Sequence, residues 1–127
     1  MREDYNVTII NSMRELTPKE KIKMKKATST SIKIDDVTEP DSEFIIESVD
    51  NYVILHVYNE HAENTEYDVL VIESNGTTYT TGSAAFTNSF LDICDEMSAC
   101  GEEFGILCQK IPSRNFKGKY ILTCNII

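Results

Sequence analysis

Between Ile34 and Gln109 the chain has no lysine or arginine, although 17 aspartates and glutamates fall in that span. A formal net charge of −9 over 127 residues argues against a protein coated by nucleic acid across its whole surface. Glycine and proline are scarce, at 5 and 3, as in an ordinary globular chain. No run is long enough to span a bilayer, and MREDYNVTII lacks the apolar stretch of a secretion signal. A cytosolic location is expected. There is no CxxC pair, and His56 and His61 lie far from Cys94, Cys100, Cys108 and Cys124, which argues against a zinc site. A phosphate-binding glycine loop is missing, and neither histidine has a serine or cysteine nearby in a nucleophile turn. The paired acids Asp35-Asp36, Asp95-Glu96 and Glu102-Glu103 are adjacent on polar segments and lack the spacing of a calcium loop. No catalytic residue, metal or cofactor is expected. Cys94, Cys108 and Cys124 fall on apolar helix or strand patterns, so free, buried thiols are expected rather than disulfides.

What is present is unevenly placed. The 12 basic residues form two groups, eight from Arg2 to Lys33 and four from Lys110 to Lys119. The second group belongs to a predicted hairpin, FGILCQKI and KYILTCNI joined by PSRNFKG, in which Lys110, Arg114, Lys117 and Lys119 crowd around Phe116. Asn115 and Gly118 let that loop turn. Acidic surroundings confine binding to such a local track and make it sensitive to salt.

Taken in order, residues 1–42 read as a basic arm. TPKEKIKMKKAT suits a short helix, with Thr17 as N-cap, Pro18 at the first position and Glu20 three residues after the cap. Ile32 and Ile34 suit a short edge strand. Residues 43–127 read as the globular domain. Tyr52 to Tyr58 alternates, with Val53, Leu55 and Val57 on one face and Tyr52, Ile54, His56 and Tyr58 on the other. YDVLVIE and TTYTT flank Asn75-Gly76, the strongest hairpin signal in the chain. Ser83 caps a helix whose apolar side carries Phe86, Phe90, Ile93, Cys94 and Met97, with Gly101 as its stop. The order predicts a mainly β protein, an OB fold: a five-stranded barrel with one α-helix between strands 3 and 4, plus the N-terminal arm and its short helix.

Binding a single strand without reading its sequence requires cations along the phosphates and rings on which bases stack. Phe116 is the first candidate ring, against the alternative that it folds back onto the barrel rim. Tyr79 is the second, against the alternative of a half-buried sheet tyrosine. Tyr67 is a weaker third. Lys110, Arg114, Lys117 and Lys119 are candidate phosphate contacts, beside Asn115, against the alternative of a solubilising turn.

The segments VILHVYNE, YDVLVIESNGTTY, TYTTGSAAFTNSFLDICDEM and PSRNFKGKYILTC, after a lysine-rich N-terminal region, together resemble single-stranded DNA-binding proteins of tailed bacteriophages. The resemblance is firmest from Tyr52 onward. It implies an OB-type domain that binds single strands during phage replication or recombination, in the cytoplasm of an infected bacterial host. The partners it implies are single-stranded DNA and phage or host replication and recombination proteins. Many bacterial proteins with that function carry an acidic, flexible C-terminal tail, whereas this sequence ends in the strand-like TCNII. A competing expectation takes the acidic, cation-free span as a nucleic-acid mimic that occupies a host DNA-binding enzyme.

Overall fold

A computed structural model describes residues 5–61, 63–115 and 117–127. The chain is mainly β. Its elements are β1 (Tyr5–Ser12), α1 (Pro18–Lys26), β2 (Ile32–Lys33), α2 (Ile34–Val37), β3 (Glu43–Ile46), β4 (Asn51–Asn59), β5 (Glu66–Ser74), β6 (Thr77–Thr81), α3 (Ala84–Cys100), β7 (Ile106–Pro112) and β8 (Tyr120–Ile126). They form a five-stranded sheet ordered β1-β4-β5-β6-β2 and a three-stranded sheet ordered β3-β7-β8.

Local chemistry sets several of the element ends. Asn75 and Gly76 have φ of 49° and 82°, the left-handed pair that a two-residue hairpin turn between β5 and β6 requires. The Thr17 hydroxyl accepts from the Glu20 amide while the Glu20 carboxylate accepts from the Thr17 amide, a complete capping box on α1. Ser83 caps α3 by accepting from the Phe86 amide, and Gly101 closes it at φ 69°.

The larger sheet is covered on both faces. From one face Tyr52, Ile54, Leu70 and Ile72 pack with Phe86, Phe90 and Cys94 of α3 and with Ile46, Ile106, Cys108, Leu122 and Cys124 of the smaller sheet. From the other face Val53, Leu55, Val57 and Val71 pack with Leu16, Met24 and Ala27. The alternation in β4 therefore separates two cores, and the expected faces hold.

The expected closed five-stranded barrel is not formed among the described residues, and the reason lies in the edges. The expected long first strand is interrupted at residues 47–50, so β3 joins β7 while β4 joins β1 and β5. Closure would require β7 or β8 to pair with β4 or β6. Those edges are already occupied, by β1 antiparallel to β4 and by β2 parallel to β6. Both occupants come from residues 1–42, and the boundary expected at residues 42 and 43 is crossed by both cores: Met24 packs under one face and Ile34 under the other.

Cys94, Cys108 and Cys124 are buried, Cys100 is exposed, and all four are free. Burial pushes each of the three buried thiols up to about 12. In the folded protein, Ellman's reagent is expected to titrate one thiol, at Cys100, and all four only after unfolding. Met24 is 2% exposed, so Met24→Ala is expected to cost about 2–5 kcal/mol in a urea melt. A loosely held arm would leave the midpoint unchanged.

Candidate nucleic-acid interface

The hairpin expected near the end of the sequence is present. β7 and β8 pair from Ile106↔Ile126 to Pro112↔Tyr120, and the Ser113 amide closes the loop on the Lys119 carbonyl at 2.9 Å. Gly118 takes φ 81° within it. Arg114, Asn115, Lys117 and Lys119 are all exposed. Phe116, the first candidate ring, lies outside the described residues.

Lys110 sits on β7 just below the loop, opposite Leu122. Its ammonium donates to the Asp35 carbonyl at 2.8 Å, tying the hairpin to α2. The Asp35 carboxylate in turn accepts from the Thr81 hydroxyl at 2.8 Å. Asp35 is thus the link between the hairpin and the edge of the larger sheet. It also lines an open cleft of about 440 Å³, together with Lys33, Val57, Tyr67, Val69, Thr80, Thr81 and Gly82.

Tyr67 stands at that cleft, 37% exposed. The β4–β5 register sets it opposite Val57, on the face away from α3. Tyr79 has a different setting. Its register with Ile72 turns it to the opposite face, where its ring packs on Phe44 with centroids 5.7 Å apart and a 58° tilt. It is a half-buried tyrosine between the two sheets. The candidate residues therefore divide: Tyr67 lines the cleft, Lys110 is tied to the backbone of Asp35 at its rim, the loop cations extend beyond Lys110, and Tyr79 belongs to the packing between sheets.

Lys33 was not among the candidates from sequence. It reaches the cleft because β2 runs parallel to β6, with Lys33 opposite Thr80. A two-residue strand paired 47 positions away leaves no periodicity to read. The other early cations divide by use. Arg14 donates to the Asp50 carbonyl at 3.0 Å and lies 3.5 Å from Glu20, and Lys23 lies 3.4 Å from Glu73. Lys19, Lys21, Lys25 and Lys26 are exposed along α1.

One residue along from the Val57–Tyr67 pair, and so on the opposite face of the larger sheet, His56 lies between two carboxylates, Nδ1 2.8 Å from Asp68 and Nε2 3.5 Å from Glu66. The acids approach opposite sides of the ring, and no group of three or more acids, histidines or cysteines among the described residues is placed to hold a metal ion. No described helix is long and apolar enough to cross a membrane. Neither a family model, nor a curated protein, nor a solved structure matches the chain.

Hydrogen bonding to Asp68, then to Glu66, raises the His56 pKa above its usual 6.5. A raised pKa contributes stability that is complete below about 6.5 and fades as pH climbs through the folded value. The His56 ring resonances are therefore expected to titrate with a midpoint above 6.5. His56→Gln should flatten the pH dependence of the melting temperature over that window. Equal slopes for the two proteins would contradict the assignment.

Proposed function

We propose that the protein binds single-stranded DNA without strong sequence preference, using the β7–β8 loop and the cleft at its base. One observation carries the reading: exposed Arg114, Lys117 and Lys119 stand on one loop, and the next cation down, Lys110, is tied to Asp35 at the rim of the cleft that holds Tyr67. Cations of this kind follow phosphates, and an exposed ring in an open groove supplies a stacking surface. Arg114 suits a bidentate phosphate contact, while the lysines act as point charges. Tyr79, packed on Phe44, is left out of the binding set.

A closed barrel is not required for this. β4, β5, β6, α3, β7 and β8 follow one another in the order of an OB domain, and an OB-type origin remains part of the proposal. So does a role in phage replication or recombination. The acidic remainder supports local rather than enveloping contact. The cation-free span from Ile34 to Gln109 repels a strand and leaves contact to the surfaces that carry lysine and arginine. Catalysis forms no part of the proposed role.

Fluorescence polarisation with labelled dT oligomers of increasing length, at low and raised salt, tests the reading. Saturable binding at low salt is expected. Replacing Arg114, Lys117 and Lys119 with glutamine should make the slope of log affinity against log salt shallower by about 2, at about 0.7 per lost phosphate contact. Phe116→Ala and Tyr67→Ala should each weaken binding by about 1–3 kcal/mol if a base stacks there. Absence of saturable binding at low salt, or indifference to the triple glutamine variant, would overturn the proposal.

A further inference from the structure

The two outer strands of the larger sheet are unequal. β2 has two residues, whereas β1 has eight, YNVTIINS, with no charged residue and no proline. Long edge strands are ordinarily blunted by lysine, proline or shortness, because their outward N–H and C=O groups template further pairing. Among the described residues nothing pairs with β1 on the side away from β4. The smaller sheet offers less. β3 has four residues and begins at Glu43, and β8 has α3 against it, with the Ser83 hydroxyl donating to the Leu122 carbonyl at 3.3 Å.

The residues of β1 are also sorted by face. Val7 and Ile9 are half-buried against the Val53, Leu55 and Val57 core, while Asn6 and Thr8 lie exposed on the other face. The bulge between Ile9 and Asn11 leaves the stretch before it regular. Ile10 at that bulge and Met13 just beyond β1 remain 55% and 40% exposed.

We infer that β1 pairs antiparallel with β1 of a second copy of this chain, about a two-fold axis at Val7. Val7 then meets Val7 of the second copy, and Asn6 meets Thr8 of the second copy, so apolar faces apolar and polar faces polar. The two half-buried valines complete each other's cover. The contact is isologous and closes at two copies. No charged side chain on β1 opposes self-pairing. In a chain of net charge −9, β1 is a stretch of eight residues where two copies approach without a like charge on either strand. Two five-stranded sheets become one continuous sheet of ten. The inference is independent of nucleic-acid binding.

Sedimentation equilibrium on the full chain tests it. The expected mass is 28.8 kDa, twice the 14.4 kDa of one chain. The double variant Asn6→Lys/Thr8→Lys places like charges across the axis at two exposed positions, and should sediment as a monomer with unchanged circular dichroism. Asn6→Lys/Thr8→Glu places opposite charges there and should restore the dimer. A monomeric wild type at every concentration overturns the inference. So does a dimer that survives the lysine pair, or one that needs a foreign protein, and so does identical behaviour of the two double variants.

Discussion

Val53, Leu55 and Val57 project from one face of β4, Tyr52 and Ile54 from the other, and all five are buried. A strand wetted on neither side must be roofed twice, and the rest of the architecture follows from that demand. α3 and the smaller sheet supply one roof, and Leu16, Met24 and Ala27 supply the other. Each fully buried aliphatic or aromatic side chain contributes about 1.5–3 kcal/mol, so neither roof is dispensable in a domain of this size. The lysine-rich α1 is amphipathic only to the extent that this requires: Met24 is buried, and the lysines around it remain in water.

The same demand places the basic hairpin. β7 must lie with Ile106 and Cys108 inward to complete the first roof, and strand alternation then puts Lys110 on that inner side at the rim. There the apolar filling ends, and the ammonium finds the Asp35 carbonyl. Beyond it, Arg114, Lys117 and Lys119 stand exposed and carry their charges into water. Electrostatics and packing agree in this region: the segment that the core cannot use is the one that carries Arg114, Lys117 and Lys119.

Much of this was legible in the residues. Thr17, Pro18 and Glu20 announce α1, Ser83 and Gly101 bound α3, Asn75-Gly76 marks its turn, and the alternation from Tyr52 to Tyr58 gives the faces of β4. These are local signals, each complete within a few residues. What escaped was non-local. Nothing in YNVTIINS says that it will pair with β4, and nothing in Ile32-Lys33 says that it will lie parallel to β6. Without those two pairings the free edges of β4 and β6 invite closure, and a barrel becomes the economical expectation. The site shows the same division. The loop cations are readable from composition, but the setting of Tyr79 depends on Phe44, 35 positions earlier, and that of Lys33 on Thr80. Propensity sees neither contact.

The pairing of early strands with distant partners also governs how the chain can reach this state. The near end of the β1–β4 ladder sets Ser12 opposite Val53, and Ile32 lies opposite Tyr79, so each ladder closes a loop of about forty residues or more before it gains its first backbone hydrogen bonds. On a ribosome, β1 would emerge first and remain unsatisfied until β4 was made, and β2 would wait for β6. Contacts of such high order predict slow, late acquisition of structure, with the β5–β6 hairpin the natural first element.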